Sequence, residues 1–275
     1  MLEQLFPASW IERKSWFAFI LGASYAVFGI GSALLLFPKE PGLAAVAFTS
    51  LLALPSLNKM LSLEEKQAAR EKKFDLTDPF KNHKDVFSVY IFLFIGVFLA
   101  FSLTSIILPS ITTNNIFAEQ VNAVGLTGSA AGQGNFTSIF SNNLIVFLFA
   151  LVASFVYGSG AIFIIIWNAS VWGVVFGVIA RDATTIANYS PGVYFTLMII
   201  AVAPHMITEA SAYIMAAISG GIVSKAVIFE KSFSKRFKKI LQDAYVIFFI
   251  AIILLVIAAY IETNITRNLF RLVGL

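Results

Sequence analysis

Long apolar runs, separated by short polar or basic stretches, dominate the pattern of this chain. The runs show no alternation of apolar and polar positions, so they favour buried helices over half-exposed strands. A helix that crosses a bilayer at a right angle needs about 20 apolar residues. We therefore predict an all-α fold, a polytopic transmembrane helical bundle in a single integral membrane domain, 1–275. The seven hydrophobic segments are Trp16–Phe37, Gly42–Met60, Val86–Leu108, Asn142–Trp167, Asn168–Ala180, Pro191–Phe229 and Leu241–Ile261.

Two of these segments do not fit one straight span. The fifth, Asn168–Ala180, is short, and the pattern leaves open whether it spans or re-enters the membrane. The sixth, Pro191–Phe229, is too long for one perpendicular crossing. Because proline removes a backbone hydrogen bond inside a helix, we expect the sixth segment to be broken at Pro204.

Composition narrows the function classes. Charged residues make up 12% of the chain, against about 25% in an ordinary soluble domain. The absence of cysteine excludes disulfides and thiolate chemistry. No phosphate-binding loop, nucleophile elbow or zinc-binding His-Glu-x-x-His pattern occurs. We therefore predict that the protein is not an enzyme and has no cofactor, catalytic residues or metal site.

Basic residues predict the orientation. With the N-terminus in the cytoplasm, 15 of the 19 Lys and Arg residues fall on the cytoplasmic side, which is a strong positive-inside bias. The bias also accounts for the basic pI without nucleic acid as a partner. We predict a multi-pass protein of the plasma membrane with its C-terminus outside, a cytoplasmic loop at 61–85 and an outer loop at 110–139.

The candidate site lies in the sixth segment, where Pro204, His205 and Glu209 interrupt apolar sequence. An ionisable side chain at bilayer depth costs roughly 3 kcal/mol or more, so it is by default a functional candidate. His205 and Glu209 are four residues apart and share a helix face. Counting from Lys225 at about 1.5 Å per residue places Glu209 in the outer third of the membrane. The predicted intramembrane polar site consists of His205, Glu209, Asn142, Asn143 and Asn168.

Three interpretations of this site compete. His205 and Glu209 pair with each other, with Asn142 or Asn143, or with a carbonyl freed by Pro204, and so lock the bundle. Alternatively, they form a proton- or ion-coupled site, because histidine titrates near neutral pH. A metal or catalytic site is the third alternative, although one His and one Glu are an incomplete ligand set for zinc.

Two ladders of small residues predict close helix packing. Small residues four apart leave a groove into which another helix backbone fits. They indicate packing within one chain or a subunit interface, and they predict a central bundle made of the fourth, fifth and sixth segments. The ladders are Ala169, Gly173 and Gly177, and Ala212, Ala216, Gly220 and Ser224.

An ordered set of short motifs resembles the stage II sporulation protein M family, most closely its archaeal branch. The motifs lie in the predicted core region, 139–229, and are Ile139–Asn143, Tyr157–Ala161, Trp167–Ser170, Ala203–His205, Glu209 and Ser219–Ile222. The resemblance implies a polytopic membrane protein related to the permease part of some ABC exporters. In sporulating bacteria it implies a scaffold for two peptidoglycan-degrading partners. An archaeal cell has neither endospores nor that wall, so the family name would there describe ancestry.

The leading hypothesis is a non-enzymatic membrane scaffold or assembly factor. The alternative is a transporter, permease-like or channel-like subunit that uses His205 and Glu209. The lipid bilayer is one expected partner. Protein partners in a membrane complex and self-association into a homo-oligomer stay open.

Overall fold

A computed structural model describes residues 15–68, 78–127, 135–158, 160–183, 190–266 and 268–269. Within these ranges the chain is helical and contains no strand. Seven of the helices are long and apolar enough to cross a membrane, which confirms the predicted fold class. The helices are α1 Phe17–Leu36, α2 Pro41–Ala68, α3 Asp78–Ile107, α4 Ser110–Ile116, α5 Ala118–Thr127, α6 Phe136–Tyr157, α7 Ile162–Asp182, α8 Pro191–Phe229 and α9 Lys235–Tyr260, followed by a π-helical turn, Ile261–Thr266.

The prediction of a short fifth segment is wrong. Helix α6 ends at Tyr157, and α7 begins at Ile162 and runs for 21 residues, enough to cross a bilayer. The chain reverses after Gly158, which has a φ of 70° and so adopts a conformation that glycine tolerates without strain. Asn168 therefore lies inside α7 and not at a junction between helices.

The predicted break at Pro204 is also wrong. Helix α8 continues through Pro204 without interruption for 39 residues. At about 1.5 Å per residue it is about 58 Å long, well above the roughly 30 Å of a hydrocarbon core. Membrane helices tolerate an internal proline when neighbouring groups satisfy the freed backbone. Helix α8 must therefore tilt strongly or extend beyond the core.

Helix α8 is the most buried span, and α3 and α7 come next. It packs against α6, α7 and α9, while α3 packs against α1 and α7. Helix α6 is the least buried of the seven spans and lies against α8 at the edge of the bundle. The predicted centre, made of the fourth, fifth and sixth segments, therefore needs correction. The third segment occupies the place expected for the fourth.

The small-residue ladders lie against helices of the same chain. A Cβ built on Gly173 would be 2.6 Å from the Phe98 carbonyl oxygen, and one on Gly177 would be 2.6 Å from that of Ser102. The ladder on α7 thus admits the backbone of α3. Gly220, on the α8 ladder, admits the Leu151 carbonyl oxygen of α6 in the same way. The other ladder members are all buried and are Ala169, Ala212, Ala216 and Ser224.

Consecutive spans run in opposite directions, so the bundle has two ends. At one end, which we call the Arg181 end, α3 and α7 finish side by side. The Arg181 Nη1 atom donates hydrogen bonds to the carbonyl oxygens of Ser105 (3.1 Å) and Leu108 (3.0 Å) and to Thr113 Oγ1 (2.9 Å). The opposite end, the Lys225 end, carries a bond from Lys225 Nζ to the Asn58 carbonyl oxygen (3.4 Å).

Both segments predicted as long loops contain helical structure. At the Arg181 end, α4 and α5 occupy much of 110–139, and the buried Gln120 side chain donates to the Gly42 carbonyl oxygen (3.1 Å). Residues 128–134 lie outside the described residues. In the segment 61–85, α2 continues to Ala68 and α3 begins at Asp78, and residues 69–77 lie outside the described ones.

We expect Arg181→Met to lower the free energy of unfolding by about 2 kcal/mol, because carbonyl oxygens at the end of α3 lose a charged donor. Arg236→Met is the matched control. Arg236 pairs with Glu230 at 3.1 Å, but its side chain is 51% exposed, so we expect a change within about 0.5 kcal/mol. Denaturant titration of the purified protein in detergent micelles measures both. Equal losses in the two variants would contradict this role of Arg181.

Candidate functional site

The centre of the polar site is the carboxyl group of Glu209, which is buried inside the bundle. Asn143 Nδ2 on α6 donates to Glu209 Oε2 at 3.0 Å. Tyr213, one helical turn further along α8, donates its hydroxyl to Glu209 Oε1 at 2.8 Å. Each carboxylate oxygen therefore has a donor, and one of the two donors comes from another helix. This arrangement joins α6 to α8 within the membrane-spanning part of the bundle.

The amide of Asn143 is oriented by its neighbour. Asn142 Nδ2 donates to Asn143 Oδ1 at 3.5 Å, which leaves the Asn143 amino group facing Glu209. The two residues lie at the end of the second turn of α6, and only Asn143 is buried. Asn143 thus presents a donor to α8, whereas the Asn142 side chain lies at the margin of the bundle.

His205 joins α8 to the end of α9. Its Nδ1 atom lies 2.8 Å from Thr266 Oγ1, and both side chains are buried. One turn along α8 from His205 is Glu209, and four residues back along the chain from Thr266 is Glu262. Because α8 and the π-helical turn run in opposite directions, this register brings the two acids towards each other. Glu209 and Glu262 indeed interact electrostatically.

Asn168 does not belong to this cluster. Its Nδ2 donates to the Ile164 carbonyl oxygen of the same helix at 2.8 Å. A side-chain amide that donates to the carbonyl oxygen one turn earlier has its hydrogen-bond partner within its own helix. The structure thus brings together Asn142, Asn143, His205 and Glu209, whereas Asn168 lies apart on α7.

Three members of the cluster were missed by sequence reasoning, namely Tyr213, Glu262 and Thr266. Tyr213 carried a usable signal, since it lies four residues after Glu209 and hence on the same face of α8. Glu262 and Thr266 follow the end of the predicted seventh segment, where a polar residue looks like the start of an exposed terminus. The π-helical turn instead keeps both of them buried, and such turns occur frequently at functional sites.

The donor set of the cluster limits its chemistry. Among the described residues, no group of three His, Asp or Glu side chains is arranged to hold a metal ion. The cluster has hydroxyls and amides, but no strong nucleophile paired with a general base. Two carboxyl groups, two hydroxyls, two amides and an imidazole remain. Such groups can hold helices together through hydrogen bonds or surround a small cation.

A comparison with protein families matches the model described as stage II sporulation protein M over residues 86–267, which is 182 of the 275 residues. The chain belongs to the stage II sporulation protein M family. An uncharacterized protein of Methanocaldococcus jannaschii is 31% identical over 140 residues, which cover 50% of this chain and 74% of that protein. No solved structure matches the chain.

The part that matches stage II sporulation protein M contains the whole polar cluster, from Asn142 to Thr266. It also contains α3 from Val86 onward and the whole of α7, and the close packing of these helices depends on Gly173 and Gly177. Helices α1 and α2 precede the match. Together with the seven apolar helices, membership in this family identifies a multi-pass membrane protein. The archaeal relative agrees with the resemblance to an archaeal branch.

Proposed function

We propose that the protein is a non-enzymatic membrane scaffold or assembly factor. The observation that carries this proposal is the interhelical bonding of Glu209. Both of its carboxylate oxygens accept hydrogen bonds, from Asn143 on α6 and from Tyr213 on α8. In a bilayer, hydrogen bonds of this kind hold helices in a fixed arrangement. A rigid bundle that presents constant surfaces suits a scaffold better than a protein whose spans must rearrange around a substrate.

The exposed side of α6 is a candidate surface for lipid or protein partners in the membrane. Large apolar side chains recur there at helical spacing, among them Ile145, Phe149 and Val152. The bundle interior is made by α8, α3 and α7, so α6 can use its outer face without disturbing the core. A second copy of the chain is another candidate occupant of this face.

We place the protein in the plasma membrane with the Lys225 end of the bundle facing the cytoplasm. Support comes from the basic residues, which collect at the Lys225 end, including Lys235, Arg236, Lys238 and Lys239. The chain has no cysteine, so single cysteines report topology directly. A membrane-impermeant thiol reagent should label Lys39→Cys, at the Arg181 end, in intact cells. It should label Ser232→Cys only after the membrane is opened, and the reverse pattern would contradict this orientation.

The function is tested by separating assembly from transport. The tagged protein, expressed at its native level, is isolated from membranes with its partners, as wild type and as Glu209→Gln. A scaffold yields the same set of partners at the same ratios in both, provided that the variant folds. In proteoliposomes, the purified scaffold should also show no ion or solute flux above that of empty vesicles. A flux that the wild type shows and the Glu209→Gln variant lacks, while the variant keeps the same partners, would instead establish a transporter.

A further inference from the structure

Three oxygen atoms meet beside Gly42, at the start of α2 and away from the Glu209 cluster. They belong to the side chains of Glu119 and Gln120 on α5 and to the carbonyl group of Ile116 at the end of α4. A Cβ built on Gly42 would overlap Gln120 Oε1, and it would lie 2.6 Å from Glu119 Oε2 and 2.9 Å from the Ile116 carbonyl oxygen. Because glycine has no side chain, these three acceptors converge on one place next to α2.

Two of the three oxygens, Glu119 Oε2 and Gln120 Oε1, are buried and accept no hydrogen bond from the described residues. The Gln120 side chain is fully buried, and its Nε2 atom donates to the Gly42 carbonyl oxygen at 3.1 Å. This bond fixes the orientation of the amide, since the opposite orientation would place two carbonyl oxygens against each other. Gln120 therefore directs an acceptor at the place that Glu119 also faces. Buried acceptors need a donor or a positive charge, so a bound species belongs between them.

The chemistry of the three oxygens indicates which species this is. Glu119 takes no part in the ion pairs of the described residues, and the basic residue nearest to Gly42 along the chain, Lys39, is exposed. One carboxylate, one side-chain amide oxygen and one backbone carbonyl are the kinds of ligand that Ca²⁺ takes from proteins, with water in its other positions. Mg²⁺ fits less well, because it demands a near-ideal octahedron and gives up its water reluctantly.

We propose that Glu119, Gln120 and the Ile116 carbonyl group bind Ca²⁺ beside Gly42. The ion ties the start of α2 to the junction between α4 and α5 at the Arg181 end of the bundle. A single carboxylate gives weak binding, so we expect a dissociation constant of about 1 mM, as in extracellular calcium modules. The site depends neither on the scaffold function nor on the orientation in the membrane, because both ends of the purified protein are accessible in detergent.

The test is the apparent melting temperature of the full-length protein in detergent micelles. Calcium chloride is compared with magnesium chloride at the same concentration and with sodium chloride at the same ionic strength. We expect Ca²⁺ at about 10 mM to raise the melting temperature by about 3 °C, and the other two salts to raise it by less than about 1 °C. Glu119→Gln should lose the calcium shift. Asp85→Asn is the matched control, because Asp85 is exposed at the opposite end of the bundle, and it should keep the shift.

A second variant and a direct binding measurement keep the test decisive if Glu119→Gln fails to fold. Glu119→Asp keeps the charge but draws the carboxylate back by one carbon, so its affinity for radioactive calcium in equilibrium dialysis should fall at least fivefold. A water molecule or a proton between the oxygens would give no calcium-specific shift in the wild type, and that result overturns the proposal. It is equally overturned if folded Glu119→Gln keeps the full shift, or if Glu119→Asp binds calcium as tightly as the wild type.

Discussion

Replacing Glu209 by alanine is expected to lower the free energy of unfolding by about 3 kcal/mol. The substitution removes the acceptor of both the Asn143 amide and the Tyr213 hydroxyl. These two donors lie in the interior of the bundle, where water does not replace the lost partner, so each carries its own desolvation cost. The substitution also leaves an empty space between α6 and α8, where the carboxylate was packed. Denaturant titration in detergent micelles gives the loss directly.

Two further variants make this result specific to the cluster. Glu40→Ala removes an exposed carboxylate and should change the free energy of unfolding by less than about 0.5 kcal/mol. Glu209→Gln keeps the volume of the side chain and an acceptor oxygen, so its loss should be smaller than that of Glu209→Ala. A loss in Glu209→Ala no larger than that of Glu40→Ala would show that the cluster adds nothing to stability.

Gly220→Ala is also expected to destabilise the bundle, with a loss of about 2 kcal/mol in the free energy of unfolding. A Cβ at position 220 would overlap the Leu151 carbonyl oxygen of α6 and would also lie 3.1 Å from the Phe155 backbone nitrogen. Backbone atoms inside a helix cannot move away as a flexible side chain can, so α6 and α8 must separate. The Asn143–Glu209 bond between the same two helices should then weaken as well.

The matched control is the same substitution at Gly31, in the second half of α1. A Cβ at position 31 meets no atom within 4 Å. Alanine there should therefore raise stability by about 0.5 kcal/mol, through the lower entropy of the unfolded chain. Both variants are measured by denaturant titration in the same detergent. A stability gain at Gly220 similar to that at Gly31 would contradict the close approach of α6 and α8.

The sequence predicted seven apolar helical segments, because only long apolar helices satisfy their backbone hydrogen bonds in lipid without closing into a barrel. It left open whether the fifth of them spans the membrane, and the structure makes it a full-length span. The sequence located the boundary between α6 and α7 poorly. The turn at Gly158 contains no charge and no proline, whereas Asn168 interrupts the apolar pattern more visibly. The Asn168 side chain bonds back to Ile164 and so is accommodated inside α7. The predicted break at Pro204 was wrong for a similar reason, because a single proline does not end a helix that is enclosed by neighbouring helices.

The candidate site was predicted in outline but not in its pairing. His205 and Glu209 do not bond to each other. Glu209 bonds to Asn143, which was one of the alternatives considered, and His205 contacts Thr266. The distance along the chain between His205 and Thr266 is 61 residues, and no local pattern encodes such a contact. The register between α8 and the π-helical turn is a property of tertiary packing, and only the structure supplies it.

The most direct test of the polar cluster is a double-mutant cycle between Asn143 and Glu209. The free energy of unfolding is measured for the wild type, Asn143→Ala, Glu209→Ala and the double variant. Because Asn143 donates to a carboxylate oxygen buried between α6 and α8, we expect a coupling free energy of about 1.5 kcal/mol. A coupling below about 0.3 kcal/mol, with both single variants destabilised, would show that the two residues act independently and would contradict the proposed lock between the helices.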